Sequence, residues 1–178
     1  MRPLKRRIAL ISTGGTIEKS YDELEGVLHN QYSNLEIMLA SLQLEGVEIV
    51  PVPLMNKDSL HMTEQDHVLI AQTVGSMAAT HDGVLVVHGT DRLAVTGEKV
   101  VELLGTPRVP VVFTGAIRPY VMRNSDAMQN LTEALLAVQI AAPGVYVAMH
   151  NRLLRFPGPV KDRRRGTFVL QEEMDRRA

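Results

Sequence analysis

The amino-acid sequence predicts an α/β fold, an open and mostly parallel sheet with helices on both faces in a Rossmann-like three-layer arrangement. Three observations lead to this prediction. Five short runs are rich in β-branched residues, segments with helical spacing separate them, and the two patterns alternate along the chain. The 178 residues have the length of one ordinary domain. We expect a catalytic α/β domain over residues 1–168 and a charged C-terminal tail over residues 169–178.

The five runs are predicted to be buried strands. Each is apolar at nearly every position rather than at alternate positions, which is typical of strands that helices cover on both faces. In chain order the predicted strands cover residues 8–11, 47–52, 84–87, 109–113 and 145–149.

Four segments between these runs have the apolar spacing of helices. The first begins at Ser33, and the second begins at Thr63, which has Asp66 three residues on. A shorter third helix is predicted around Val100, and the fourth begins at Ser125. After residue 151 the sequence becomes rich in Arg, Gly and Pro, and it ends in a charged stretch that we expect to fray.

The composition argues against several classes of function. A formal net charge of −1 gives no general electrostatic basis for binding nucleic acid or acidic membranes. The absence of cysteine excludes thiolate catalysis and thiolate zinc sites, and the six histidines lack metal-binding spacing. We therefore expect no metal and no cofactor. No apolar run approaches the length of a membrane span, so the cytoplasm is the expected location.

Small and polar residues follow each predicted strand. In an open parallel sheet the ligand site lies beyond the carboxyl ends of the strands. The sequence therefore predicts a site at this edge, built from residues 12–16, 56–59, 88–91, 114–118 and 150–151.

A Gly-rich turn leaves the first strand and carries Thr13 and Thr16. Its glycines can bring backbone N–H groups close to an oxyanion, but it lacks the lysine of a P-loop and the spacing of a dinucleotide fingerprint. Thr16 is either a nucleophile or a structural hydroxyl. A nucleophile needs a proton acceptor. Tyr21, in a polar stretch interpreted as a mobile loop (residues 18–22), is either that partner or an ordinary surface tyrosine.

A second hydroxyl, Thr90, stands next to Asp91 at the end of the third strand. Asp91 is suited either to cap the next helix or to take part in chemistry. Lys161 lies near them only if the chain returns to this edge after the fifth strand. A Thr–Lys–Asp relay would then activate a hydroxyl or a water. Otherwise Lys161 is one lysine in a basic surface run, residues 161–165.

Together these motifs resemble those of the bacterial-type L-asparaginases. Residues 11–17 resemble the first signature of that family and residues 87–91 its second, and the two at strand ends are specific as a pair. Other segments are similar to its substrate-carboxylate segment, its fourth-strand segment and its catalytic-lysine region, namely residues 58–63, 113–119 and 158–161. The resemblance covers residues 7–168 and implies the asparaginase N-terminal-domain type of α/β fold. Because the chain ends soon after Lys161, it implies a short-chain form, reduced to the N-terminal catalytic domain.

The resemblance implies a role for each catalytic position. Thr16 would attack the side-chain amide to give an acyl-enzyme and ammonia, and Tyr21 would assist from the mobile loop. Thr90, Asp91 and Lys161 would position and activate the attacking water. Backbone N–H groups near Thr16 and Thr90 would stabilise the oxyanion. The motifs do not decide whether one threonine or both act covalently.

The resemblance also implies how the substrate is held. Asp58 and Ser59 would belong to the substrate-binding segment, in which Ser59 would hold the α-carboxylate. Asp91 would bind the α-amino group, and the backbone near Ala116 would bind the amide. The remaining expected substrate contacts are Gly15 and Gly89.

The activity implied by the resemblance is hydrolysis of L-asparagine to L-aspartate and ammonia, with a weaker L-glutaminase activity. Two alternatives stay open: a sensor of amides or amino acids, and a partner-dependent amidotransferase subunit without turnover of its own. The expected partner is the small-molecule substrate, with no nucleic acid and no membrane. A homo-oligomer, dimer or tetramer, is also expected.

Overall fold

The centre of the fold is a six-stranded sheet, given by a computed structural model that describes residues 5–22, 24–30 and 33–176. In chain order the strands are β1 (Arg6–Ser12), β2 (Lys19–Asp22), β3 (Val27–Asn30), β4 (Val47–Pro53), β5 (Gly83–Val87), β6 (Pro110–Thr114), β7 (Gly144–Met149), β8 (Arg152–Arg155), β9 (Pro159–Asp162) and β10 (Thr167–Leu170). The helices are α1 (Ser33–Ala40), α2 (Glu64–Ala78), α3 (Leu93–Leu104), α4 (Ala127–Ile140) and α5 (Gln171–Asp175).

The strand order in the central sheet is β4-β1-β5-β6-β7-β8. The first five strands pair in parallel and correspond to the five predicted strands, while β8 pairs antiparallel to β7. The predicted mostly parallel sheet is therefore confirmed. The chain leaves β1 toward β4 on one side and later reaches β5 on the other side. The carboxyl ends of β1 and β5 thus meet at the topological switch point, where ligands bind in open α/β sheets.

Helices cover the two faces of the sheet in pairs. Buried residues of α1 and α4 share one core with Leu85 of β5, and those of α2 and α3 share a second core with Val86. Successive residues of a strand point to opposite faces, so one apolar strand contributes to both cores. The helix predicted from Thr63 is confirmed as α2: Thr63 caps it, and the Thr63 and Asp66 side chains each bond the other's backbone N–H.

The prediction of cover on both faces is wrong for β4. This strand lies at the edge of the sheet, and its side chains are mostly exposed or half-buried. Pro51 and Pro53 explain the position, because a proline has no N–H to donate to a second neighbouring strand.

Residues 18–22 do not form the predicted loop. The segment Thr16–Glu18 is a turn of 3₁₀-helix, and Lys19–Asp22 is β2, which pairs antiparallel with β3. The Asn34 amide on α1 holds the base of this hairpin through bonds to the carbonyls of Glu18 and Lys19 and to Ser20 Oγ.

The segment after residue 151 is more regular than its composition suggests. It contains β8, the antiparallel β9–β10 pair and α5. The expected boundary between domain and tail falls inside β10, where Val169 is only 1% exposed and packs in the core beside α2 and α3. Apolar side chains thus anchor a stretch in which charged residues dominate the sequence, and residues 171–175 are helical rather than frayed.

Candidate active site

The two threonine-bearing loops meet backbone to backbone at the switch point. A Cβ atom added at Gly15, after β1, would lie 2.5 Å from the N and Cα atoms of Gly89, after β5. Gly15 also has a φ of +91°, which side chains disfavour. A side chain at position 15 would therefore push the Thr16 loop away from the Thr90 loop.

Two more loops close on the same point. A Cβ atom at Gly89 would lie 2.7 Å from Ser59 Oγ, and one at Gly115 would lie 2.3 Å from the His88 carbonyl oxygen. The segments that follow β1, β4, β5 and β6 therefore converge, as the sheet topology requires. Gly15, Ser59, Gly89 and Ala116 lie in these converging segments, although they come from distant parts of the sequence.

A lysine, a threonine and an aspartate form a hydrogen-bonded cluster at this edge. Lys161 Nζ on β9 donates to Thr90 Oγ1 at 2.8 Å and to Asp91 Oδ1 at 2.9 Å. Thr90 is 4% exposed, and Lys161 and Asp91 are partly exposed. Arg163 Nη1 lies 3.7 Å from Asp91 Oδ1. In such a cluster the lysine can exchange a proton with the hydroxyl or with a bound water while the carboxylate holds the lysine in place.

Core contacts bring Lys161 back to this edge. Phe168, which is opposite Lys161 in the β9–β10 pair, is buried in the core beside α2 and α3. At the start of β9, the Gly158 N–H donates to Glu98 Oε1 on α3 at 2.8 Å. These anchors fix a contact between residues that are about seventy positions apart in sequence.

Thr16 and Tyr21 are not joined by a hydrogen bond in the described part of the chain. Thr16 begins the 3₁₀ turn and is partly exposed, whereas Tyr21 lies on β2 with 59% of its surface exposed. A proton exchange between them requires the two hydroxyls to come within hydrogen-bond reach or a water to join them.

The expected carboxylate-binding segment is tied to the hairpin. Lys19 Nζ of β2 donates to Asp58 Oδ2 at 2.8 Å, and this bond holds the pKa of Asp58 below its ordinary value. Ser59 is buried, and its Oγ accepts the Arg92 N–H at 3.3 Å. The Lys19–Asp58 ion pair thus links the β2–β3 hairpin to the residue that precedes Ser59.

The loop that carries Ala116 is fixed by one buried carboxylate. Asp126 accepts the N–H groups of Ile117 and Arg118 at 3.0 and 2.9 Å, and His150 Nε2 lies 2.7 Å from its Oδ2. Burial acts to raise the pKa of Asp126, but these donors outweigh it and hold the pKa below its ordinary value. Asp126 is thus a structural anchor of the loop after β6.

Glu18 is a buried carboxyl that the sequence did not reveal. Its exposed fraction is 1%, and neither oxygen makes a hydrogen bond of normal geometry with the described residues. Burial raises its pKa to about 7, and the nearby Gly14 backbone offsets this only in part. A charged residue in a polar run predicts a solvated side chain, and the 3₁₀ turn instead directs it inward.

His88 is not an exposed base. It is fully buried, and burial lowers its pKa to about 4, so the ring is neutral at pH 7. The described residues contain no group of three or more side chains suited to hold a metal ion. None of the described helices combines the length and apolar character that a bilayer span requires.

A Thr–Lys–Asp cluster at the switch point of a parallel sheet defines an α/β site suited to activating a hydroxyl or a water. The family model Asparaginase, N-terminal, matches residues 7–161. The chain therefore belongs to the asparaginase family and has the amidohydrolase fold of that family.

Two L-asparaginases show the extent of the similarity. The L-asparaginase of Thermococcus kodakarensis is 32% identical over 149 residues, covering 83% of this chain and 45% of that protein. Its solved structure matches with a TM-score of 0.84 at 29% identity, over 92% of this chain and 51% of that one. The structure of a probable cytoplasmic L-asparaginase from Campylobacter jejuni matches with a TM-score of 0.75 at 30% identity, over 88% of this chain and 50% of that one.

A third relative belongs to a different kind of enzyme. A glutamyl-tRNA(Gln) amidotransferase subunit of Methanobrevibacter smithii is 33% identical over 153 residues, covering 85% of this chain and 35% of that protein. The chain thus spans about half or less of the length of these relatives.

Proposed function

We propose that this chain hydrolyses L-asparagine to L-aspartate and ammonia through an acyl-enzyme on Thr16. The observation that carries the proposal is the Lys161–Thr90–Asp91 cluster, which lies where the Thr16 loop packs against Gly89. In the proposed complex the side-chain amide would lie beside this loop contact, within reach of one hydroxyl from each loop.

In the first half-reaction the Thr16 hydroxyl oxygen attacks the amide carbon. The C–N bond breaks, and the amide nitrogen leaves as ammonia with the proton that Thr16 gives up. We assign the transfer of this proton to Tyr21 on a closed hairpin. Backbone N–H groups near Thr16 and Thr90 stabilise the negative charge on the carbonyl oxygen.

In the second half-reaction a water attacks the ester carbon. The Lys161–Thr90–Asp91 cluster relays a proton from this water to the Thr16 oxygen as the ester C–O bond breaks, which releases L-aspartate, restores the Thr16 hydroxyl and returns the cluster to its starting protonation state. The short Lys161 bonds to both partners support this role. Both steps use only the groups of this chain and a water.

We assign the α-amino group of the substrate to the Asp91 carboxylate, which has the opposite charge. We assign its α-carboxylate to Ser59, in the Asp58–Ser59 segment, whose hydroxyl can donate a hydrogen bond to it. Gly15, Gly89 and the backbone at Ala116 are the remaining proposed substrate contacts. L-Glutamine has one more methylene, so we propose it as the weaker substrate.

A second candidate function is supported by the amidotransferase relative, which is 33% identical to this chain where the L-asparaginase is 32% identical. In that case the chain supplies amide hydrolysis only within a complex with another protein. An amide sensor without turnover is the remaining alternative. We further propose a cytoplasmic location, in line with the Campylobacter relative, and a homo-oligomer.

The test is ammonia release by the purified chain with L-asparagine and then with L-glutamine. We expect release with asparagine that Thr16→Ala abolishes and Thr16→Ser, which keeps a hydroxyl, retains in part. Light scattering on the same sample measures the oligomer. A folded chain that binds asparagine without releasing ammonia would contradict independent hydrolysis and favour the sensor or the partner-dependent subunit.

A further inference from the structure

A chain of three buried hydrogen bonds runs behind the Thr90 loop. His67 Nδ1 on α2 lies 2.7 Å from Thr96 Oγ1 on α3, and Thr96 Oγ1 lies 2.8 Å from His88 Nε2. His88 Nδ1 then lies 2.8 Å from the Gly89 carbonyl oxygen. All three side chains are buried. The chain connects the middle of the helical layer to the peptide immediately before Thr90.

The position of each proton in this series of hydrogen bonds follows from its last acceptor, the Gly89 carbonyl oxygen. A carbonyl oxygen only accepts, so His88 Nδ1 carries a proton and donates to Gly89. Burial keeps the His88 ring neutral, so its Nε2 has no proton and accepts from the Thr96 hydroxyl. The other possible acceptor of this hydroxyl, the Arg92 carbonyl, is farther away at 3.4 Å. Thr96 Oγ1 therefore accepts from His67 Nδ1–H.

The second ring nitrogen of His67, Nε2, fits this assignment of protons. His67 Nε2 is buried and has no hydrogen-bond partner among the described residues. In the assigned tautomer His67 Nε2 has no proton and only an unused lone pair. In the other tautomer Nε2 would be a buried N–H donor without an acceptor, and Thr96 Oγ1 would no longer receive a hydrogen bond from His67. Only the assigned tautomer of His67 gives every polar hydrogen of the His67, Thr96 and His88 side chains an acceptor.

The consequence for the site comes from the planarity of the peptide group. The Gly89 carbonyl and the Thr90 N–H belong to one peptide plane and point in opposite directions. A bond that fixes the carbonyl therefore fixes the direction of the N–H. Among the described residues the Thr90 N–H makes no hydrogen bond to a backbone carbonyl, which leaves it as a candidate donor to a ligand atom.

We propose that His67 and Thr96 are positioning residues, which hold His88 in one tautomer and thereby aim the Thr90 N–H at the oxyanion. This inference rests on the proposed amide hydrolysis. Neither His67 nor Thr96 has to touch the substrate. Their effect reaches the site through His88 and the Gly89–Thr90 peptide plane.

The test compares Thr96→Val, which keeps the shape and removes the hydroxyl, with Thr96→Ser, which keeps the hydroxyl. Imidazole ¹⁵N spectra report the tautomer of His88, assigned from its backbone, and residual dipolar couplings report the direction of the Thr90 N–H. We expect Thr96→Val to change both signals and Thr96→Ser to change neither. In the ammonia assay Thr96→Val should lower kcat by roughly tenfold or more with little change in KM, because a misdirected oxyanion donor acts mainly in the transition state.

A second pair of variants tests His67, the residue farthest from the site in this series of hydrogen bonds. His67→Asn places an amide N–H near the position of Nδ1, whereas His67→Leu removes the donor. We expect His67→Leu to repeat the Thr96→Val result and His67→Asn to restore the wild-type signals. If Thr96→Val does not fold, this pair of His67 variants tests whether the hydrogen bonds behind Thr90 hold the His88 tautomer and the Thr90 N–H direction.

Two results would overturn the proposal. One is an unchanged His88 tautomer and Thr90 coupling in a folded Thr96→Val variant, and the other is equal behaviour of Thr96→Val and Thr96→Ser. Both NMR signals are independent of turnover. If the wild-type chain releases no ammonia, the proposed function fails, while the tautomer and the coupling still decide whether the chain of hydrogen bonds positions Thr90.

Discussion

Glu18 shows how strongly a single residue can depend on the fold around it. In sequence it stands among polar residues two positions after Thr16, yet the 3₁₀ turn buries it with neither oxygen bonded to a described residue in normal geometry. Removing a carboxylate from water without a partner disfavours the charged form. Burial without a partner therefore raises the pKa of Glu18 to about 7.

Glu18→Gln tests this burial through the pH dependence of stability. Glu18 ionises near 4.5 when unfolded and near 7 when folded, so between these values the folded state holds one more proton. Its contribution to stability therefore falls as pH rises from 4.5 toward 7, and the full cost remains above 7. Glutamine does not ionise. Relative to wild type, the variant should gain on the order of 3 kcal/mol in unfolding free energy between about pH 5 and pH 8.

The measurement is chemical denaturation of both proteins at a series of pH values. Glu48→Gln, at an exposed position of β4, is the matched control and should follow wild type. A Glu18→Gln curve parallel to wild type across this range would mean that Glu18 ionises normally in the folded protein.

At the scale of elements, the β2–β3 hairpin is joined to the rest of the molecule by a few polar contacts. Asn34 on α1 bonds its base, and the Lys19–Asp58 ion pair bonds β2 to the segment before Ser59. Tyr21 and the apolar side chains of Val27 and Leu28 are largely exposed. A hairpin with little buried apolar surface opens at low free energy, as a closing element of an active site requires.

Asn34→Ala should loosen the hairpin and leave the central sheet intact. The variant removes the amide that bonds two carbonyls and Ser20 Oγ, so hydrogen exchange should quicken in residues 19–22 and 27–30 but not in β5 or β6. We expect kcat to fall with KM nearly unchanged, and we expect the same of Tyr21→Phe, which removes the hydroxyl assigned to proton transfer. Gln72→Ala, at an exposed position of α2, is the control. Normal kcat together with fast hairpin exchange would separate the hairpin from catalysis.

The elements also show what the sequence allowed us to predict. Uninterrupted apolar runs identify buried strands, and parallel strands bring their carboxyl ends together, so the positions of Thr16 and Thr90 at one edge follow from pattern alone. The return of Lys161 does not follow. It depends on Phe168 and Val169, two apolar residues in an Arg-rich segment, packing against a core that is complete only after folding.

Other features escaped prediction for the same reason. A histidine in the polar start of α2 gives no sign that it will face Thr96, because the contact joins two helices at a separation that spacing cannot encode. The direction of Glu18 depends on a local turn rather than on periodicity. Side-chain networks between elements are set by packing, and a single sequence describes mainly what happens within elements.

At the scale of the whole molecule, the site is a product of topology. The strand order places the ends of β1 and β5 side by side, and loops after β4 and β6 close around them. A hairpin from the last part of the chain then supplies Lys161. The candidate site residues thus come from segments that are distant in sequence and that the fold brings together.

The location of the covalent intermediate tests the assignment of Thr16 as the nucleophile. In Lys161→Ala the water-activating cluster is broken, so the acyl-enzyme should persist after L-asparagine is added. Intact mass spectrometry followed by peptide mapping should find the acyl group on the peptide that contains Thr16, and the double variant Thr16→Ala, Lys161→Ala should carry none. An acyl group on the peptide that contains Thr90 would contradict the assignment of Thr16 as the nucleophile.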